Sequence, residues 1–242
     1  MHRRRNGVIL MDDTEKRINS LLKLPNLVNW VRHNKRRLDD TVFQLREFAA
    51  NPPRHSLQPV QKLCAGLAYG TLNEEAALAK AEEIIRPAAR AAGREVVPAF
   101  CRYLEKKGIV GVSEFDGFQA MYIIGKKPDG EPLLVPVRPT FVGIKNDRLL
   151  PVFVIAWADF KMDGFQKYLL STIVCDSILT QQDFLDSDAE IVAFPRIKHT
   201  RTRDRRGWEV RQYNLLSRDD LVEQFERYSR ALRTVISELR GG

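Results

Sequence analysis

The most distinctive chemistry in this sequence belongs to one short basic segment. A single acidic residue, Asp204, interrupts it. The basic members are Arg196, Lys198, His199, Arg201, Arg203, Arg205 and Arg206. Guanidinium groups bind phosphate oxygens through paired hydrogen bonds, and Trp208 directly after the segment offers a flat face to a nucleobase. The pattern predicts a loop that binds nucleic-acid phosphates while Trp208 stacks on a base. The alternative is a solvated loop with Trp208 in the core.

A second basic cluster lies in the first fifth of the chain, from Arg32 to Arg37. On a helix, Arg32, Lys35 and Arg36 would lie along one stripe, which predicts a row of phosphate contacts. The formal net charge of +8 and the isoelectric point near 9.5 also favour an acidic partner such as nucleic acid. A solvated helix surface is the alternative for this cluster.

Metal and membrane chemistry have little support in the sequence. The three cysteines are isolated, with no CxxC pair, and the four histidines lack a second ligand at metal-binding spacing. We therefore expect no metal site and no cofactor. The longest apolar runs, such as 149–158, have the length of a strand and fall far short of the roughly 20 residues of a membrane span. The sequence predicts a cytoplasmic protein without a membrane partner.

The first part of the chain has the pattern of helices. Apolar residues recur at helical spacing between residues 28 and 48, with a break near Asn34, and again up to Gly108. Asn73 is expected to cap an alanine-rich helix that runs to about Ala92, followed by a helix over 95–107. The prediction is a helical region over residues 1–107.

The pattern changes after Gly108. Residues 115–124, 133–144 and 150–158 have the composition of three strands, separated by turns at 127–130 and 146–147. The last of them is apolar throughout, as a strand buried on both faces requires. A helix from Asp163 or Gly164 and a strand at 188–194 follow. We expect an α+β protein whose domain 108–242 is a mixed sheet flanked by helices, with the strand at 150–158 central.

The order helix, three strands, helix, strand over about residues 95–196 resembles the core of the PD-(D/E)XK nuclease superfamily, whose fold is that of restriction endonucleases. The family places an Asp on one strand and Glu or Asp, any residue, then Lys on the next; the carboxylates hold Mg²⁺ and the lysine assists the attacking water. Aligned by strand, the matching positions in this chain are Thr140, Ala156 and Ala158. These residues cannot hold a divalent ion, so the resemblance implies a degenerate, inactive nuclease core.

A second alignment matches the letters of the motif instead. Pro128-Asp129 and Asp159-Phe160-Lys161 supply two carboxylates and a lysine, with Asp116 as a substitute for the first acid. If these side chains converge, the resemblance implies an active magnesium-dependent nuclease. Asp129, however, lies in a Pro-Asp-Gly turn that has its own structural explanation. Catalysis is therefore the alternative, and binding without catalysis is the prediction.

The C-terminal segment carries an apolar heptad seam. Its members are Leu221, Phe225, Tyr228, Leu232, Val235 and Leu239. The seam predicts a helix that docks on the chain's own core or pairs with a second copy as a homodimer. It also supports a further alternative function, a regulatory protein that binds another protein through this helix or the alanine-rich helix.

Overall fold

The computed structural model describes residues 13–23, 26–51 and 56–241, and it confirms an α+β protein. The described helices are α1 Asp13–Leu22, α2 Leu27–His33, α3 Leu38–Ala50, α4 Gln58–Ala68, α5 Glu74–Glu82, α6 Pro87–Lys107, α7 Gly164–Ser177 and α8 Arg218–Gly241. The described strands are β1 Val110–Gly111, β2 Ala120–Lys126, β3 Pro132–Val137, β4 Phe141–Lys145, β5 Arg148–Ile155, β6 Glu190–Ala193 and β7 Arg206–Glu209.

The alanine-rich helix is shorter than the sequence pattern predicts. Asn73 caps it as expected, since its side chain accepts a hydrogen bond from the Ala76 amide at 2.8 Å. The helix nevertheless ends at Glu82, and Pro87 begins α6. A proline has no amide hydrogen to continue a helix, but it fits the first turn of a new one. The expected helix to Ala92 is therefore wrong after residue 82, and α6 is longer than predicted.

Five strands form one mixed sheet in the order β1-β4-β5-β6-β7. Strand β4 pairs antiparallel with both β1 and β5, β5 pairs parallel with β6, and β6 pairs antiparallel with β7. The helix α7 connects β5 to β6, as a parallel pair requires. The expected central position of the apolar strand is confirmed, because β5 is the third of the five.

Strands β2 and β3 do not join this sheet. Within the part of the chain that the structure describes, they pair only with each other, as a separate antiparallel hairpin. The three strands predicted at 115–124, 133–144 and 150–158 therefore do not form one sheet, because the second divides into β3, which pairs with β2, and β4, which pairs with β5. The chain leaves the hairpin at Arg138-Pro139, where the proline cannot donate to a strand ladder, and enters the large sheet at Phe141.

The large sheet lies between two apolar layers. Alternate residues of β5 point to opposite faces: Phe153 and Ile155 join one buried cluster, and Val152 and Val154 join the other. The first cluster contains side chains of α1, α2, α3, α7, α8 and the β2–β3 hairpin. The second contains side chains of α4 and α6. Because both faces are covered, β5 is apolar along almost its whole length.

The heptad seam of α8 is buried within the chain. Leu221, Tyr228, Leu232 and Val235 are at most 7% exposed, and α8 packs on α3 and β2. Gly125 on β2 lets the hairpin approach α8 closely, since an added Cβ there would meet the Ser229 hydroxyl at 2.4 Å. Of the helices in the described ranges, α8 included, none combines the length and apolar character that crossing a membrane requires.

Candidate functional site

The two basic segments come together where β5 ends. The guanidinium carbon of Arg32 lies 4.7 Å from the centroid of the Trp157 ring, a cation–π contact. On the next residue, the Ala158 carbonyl oxygen accepts a hydrogen bond from the Arg196 amide at 2.9 Å. Two clusters that are far apart in sequence therefore both contact the residues that follow the carboxyl end of the central strand.

Gln166 in the first turn of α7 holds the first cluster in place. It is fully buried, and with Asp163 it forms a reciprocal cap at the start of α7. Its side-chain amide also donates to the backbone carbonyl oxygens of Val31, Arg32 and Asn34. These carbonyls lie at the end of α2, so one buried side chain fixes the end of α2 against the start of α7.

The expected helical stripe of Arg32, Lys35 and Arg36 is wrong. Helix α2 ends at His33, and Asn34 adopts an extended conformation, so Lys35 and Arg36 lie in the connection to α3. Lys35 forms an ion pair with Asp163 at 3.3 Å. Arg36 is exposed. Arg32 and Lys35 still lie at this end of the sheet, where tertiary contacts with Trp157 and Asp163 hold them in place of helical spacing.

Arg203 is buried and does not lie on the binding surface that the sequence suggests. Its side chain is 1% exposed, and its Nε donates to Glu95 Oε2 at 2.8 Å. Its Nη1 donates to the carbonyl oxygens of Phe194 at 2.8 Å and Ala156 at 3.4 Å. Arg196 pairs with the same carboxylate through two hydrogen bonds, at 2.6 and 2.8 Å. Glu95 on α6 therefore fixes the loop that follows β6 to the body of the protein.

The Glu95 carboxyl stays ionised well into the acid range. Burial raises its pKa, but hydrogen bonds and charges from Arg196 and Arg203 lower it further, so the pKa lies below its ordinary value near 4.5. Because the pKa is lower in the folded state, the ionised carboxylate stabilises the fold at pH values above about 4.5. The contribution is lost as pH falls through the lowered pKa.

Arg205 also has a structural partner. Its Nη2 lies 3.1 Å from Oε1 of Glu190, a buried carboxylate on β6, and its guanidinium carbon lies 5.5 Å from the Tyr103 ring centroid. Lys107 contacts the same carboxylate oxygen at 3.4 Å, and the Tyr103 hydroxyl donates to the other at 3.1 Å. Burial and the neighbouring Glu190 charge raise the Tyr103 pKa. Arg205 therefore neutralises an internal charge.

Three cations of the basic loop remain available to a ligand. Lys198, Arg201 and Arg206 are exposed, and within the described part of the chain none of them forms an ion pair. Arg196 keeps a partly exposed side chain, at 42%, beside Arg201. The basic residues of the predicted loop thus fall into two groups: some form ion pairs that hold the shape of the loop, and the others are exposed cations.

Trp208 packs into the core instead of projecting from the surface. It is 7% exposed, and its indole nitrogen donates to the Ser171 hydroxyl at 3.1 Å. Trp208 lines a pocket together with Phe160 and Tyr213, and its ring lies close to both of theirs. The alternative of a packed Trp208 therefore describes its position better than a freely stacking side chain does.

The carboxylates of the catalytic alternative have local partners. Asp129 accepts a hydrogen bond from the Glu131 amide within its own turn, and Asp159 pairs with Lys161 at 2.9 Å on the surface. Among residues 13–23, 26–51 and 56–241, no three His, Cys, Asp or Glu side chains form a group that could hold a metal ion. The Gln166 side chain is occupied in capping α7 and in donating to the carbonyl oxygens at the end of α2.

Sequence reasoning did not single out the residues that organise this site. Glu95 lies 101 residues from Arg196 and 108 from Arg203, and Glu190 lies 15 residues from Arg205; no spacing pattern links these pairs. The pocket residues Phe160, Lys167 and Tyr213 come from three separate segments. Comparison with family models, with curated proteins and with solved structures found no match to this chain.

Proposed function

We propose that this protein binds the phosphate backbone of nucleic acid at the carboxyl end of β5. The observation that carries the proposal is the approach of the two basic segments to neighbouring residues, the Arg32 guanidinium to Trp157 and the Arg196 backbone amide to Ala158. Cations that lie together on one edge can neutralise successive phosphates, whereas cations dispersed over a surface cannot.

The presence of both ion-paired and exposed basic side chains in the loop supports the same function. Glu95 and Glu190 fix the loop backbone through Arg203 and Arg205, so the exposed cations are presented on a braced loop. Bracing reduces the conformational entropy lost when a ligand binds. Arg36, Lys198 and Arg201 are the exposed members of the two segments that we expect to contact phosphate.

We further propose that the scaffold is a degenerate nuclease core of the PD-(D/E)XK type. Support comes from the element order α6-β1-β4-β5-α7-β6, with β1, β4 and β5 antiparallel and β6 parallel to β5. The β2–β3 hairpin is then an insertion between β1 and β4. Under the strand alignment, Thr140 and Ala156 occupy positions of the family's acids. The Thr140 hydroxyl accepts a hydrogen bond from the Val154 amide, and the Ala156 carbonyl oxygen accepts one from the Arg203 guanidinium. A fixed guanidinium thus lies beside a position that the family gives to an acid.

The salt dependence of binding tests the phosphate surface. Replacing Arg36, Lys198 and Arg201 by Ala should weaken binding to DNA or RNA strands and flatten the slope of log affinity against log salt. Each lost phosphate contact removes roughly 0.7 to 0.9 from that slope, so the triple variant should lose about 2 to 3. Fluorescence anisotropy at four or more salt concentrations measures it.

The matched control variant removes three positive charges from another part of the protein surface. Arg230, Arg233 and Arg240 are exposed on α8, beyond the part of that helix that contacts Asn34 through Gln224. Their triple Ala variant should keep the parent's salt slope. A parent protein that binds no strand, or an equal loss of slope in both triple variants, would reject the proposed surface. Thermal unfolding of all three proteins confirms that they are folded.

We also expect no magnesium-dependent cleavage. Under the strand alignment, Thr140, Ala156 and Ala158 supply neither a metal-binding acid nor a lysine. The check is incubation of the purified protein with plasmid and single-stranded DNA in Mg²⁺ or Mn²⁺. Cleavage that disappears in an Asp159→Ala variant would instead support the catalytic alternative with Asp129 and Lys161.

A further inference from the structure

We infer that the pocket beside the basic loop is a nucleotide site that stacks one unpaired base, so that the protein prefers single strands to duplex. The inference rests on the proposed phosphate surface and names the form of nucleic acid it takes. The pocket is lined by Phe160, Met162, Lys167, Arg206, Trp208 and Tyr213.

Three aromatic rings line the pocket. Trp208 is nearly buried and is held by its hydrogen bond to Ser171. The Phe160 ring centroid lies 6.1 Å from it, with 35° between the ring planes, and the Tyr213 centroid lies 6.0 Å from it at 78°. Phe160 and Tyr213 both remain partly exposed. Their rings can therefore contact a flat ligand without a rearrangement of the core.

Two cations stand at the same pocket. The Lys167 ammonium nitrogen lies 5.4 Å from the Trp208 ring centroid, and Arg206 lines the opening from β7. Among the described residues, neither forms an ion pair with a carboxylate. Aromatic walls alone would suit any apolar group, and cations alone would suit a free phosphate. A nucleobase that carries a phosphate uses both.

The pocket adjoins the phosphate surface along the chain. Phe160 follows Ala158 by two residues, and Arg206 ends the loop that carries Lys198 and Arg201. A strand whose phosphates follow the exposed cations can therefore turn one base into the pocket. A duplex keeps its bases paired and stacked, so it cannot place a base there without the cost of flipping it out.

Binding to strands with and without bases tests the pocket. The probes are a twelve-nucleotide adenine strand, in deoxy and ribo form, an abasic strand of the same length, and a duplex. The parent should bind the adenine strand about 5- to 150-fold more tightly than the abasic strand, the range expected for one stacked base. Phe160→Leu should remove most of this preference, and Phe160→Tyr should retain it. Affinity for the abasic strand should not change.

Phe43→Leu is the matched control, because Phe43 is 55% exposed on α3, away from the pocket. The proposed base site is rejected if the parent binds adenine and abasic strands with equal affinity. It is also rejected if Phe160→Leu keeps the preference for adenine strands as fully as Phe160→Tyr does. Neither result would affect the proposed phosphate surface. A parent that binds none of the strands overturns both. The deoxy and ribo arms show which sugar the site accepts.

Discussion

Replacing Glu95 with Ala should destabilise the protein by about 3–5 kcal/mol, the cost of leaving a buried charge without its partner. The side chain of Arg203 is 1% exposed, and among the described residues Glu95 is the carboxylate that pairs with it. The two carbonyl oxygens that remain are dipoles and cannot neutralise a guanidinium. Urea unfolding of the parent and the variant at pH 7 measures the loss.

The Glu82–Arg94 pair supplies a matched control for this prediction. It has the two-hydrogen-bond geometry of the Arg196–Glu95 pair and links α5 to α6, but both of its side chains are about half exposed. Solvent screens such a pair, so Glu82→Ala should change stability far less than Glu95→Ala. A double Glu95→Ala, Arg203→Met variant should regain much of the loss, because it removes the buried charge as well. Equal losses in the two single variants would contradict the argument.

His33 should make the fold sensitive to mild acid. Burial lowers its pKa to about 4, and the charges of Arg32 and Lys35 lower it in the same direction. Its ordinary value is 6.5, so between about pH 6.5 and 4 the unfolded chain binds a proton that the folded chain does not. Stability therefore falls as pH drops through that window, by roughly 3 kcal/mol in total from this one group.

The measurement is chemical unfolding at a series of pH values from 7.5 to 4. His33→Phe removes the titration and keeps a ring against Phe48, whose centroid lies 4.6 Å from that of His33. The variant should lose less stability than the parent over the same range. His199, which is exposed, is the control, and His199→Gln should follow the parent curve. Parallel curves for the parent and His33→Phe would disprove the prediction.

Glu95 and His33 each support a different part of the proposed binding surface. Glu95 braces the loop that carries Lys198 and Arg201, and His33 ends the helix that presents Arg32. Protonation of His33 in acid would add a positive charge to a surface proposed to bind phosphate, while it weakens the fold beneath that surface. Affinity measurements are therefore best made above pH 7, where stability and binding can be separated.

The local signals in the sequence were sufficient for much of the secondary structure. The left-handed Gly108 ends α6 as predicted, Asn73 caps α5, and the apolar run at 150–158 forms most of the central strand. Each of these depends on the conformational preferences of neighbouring residues, which the sequence displays directly. The helix boundary at Pro87 lies within an alanine-rich stretch whose composition favours one continuous helix, and a single proline does not show by itself where the preceding helix ends.

Strand pairing and the roles of individual arginines were decided by tertiary structure. The run from 133 to 144 has the composition of one strand, yet it divides at Pro139 between two sheets. Arg201 and Arg203 are equivalent as sequence, but one is exposed and the other is buried against Glu95. Such differences depend on contacts between residues that are far apart along the chain. The sequence determined how many cations this protein has near residue 200, and the packing of α6 and β6 against the loop determined which of them can meet a ligand.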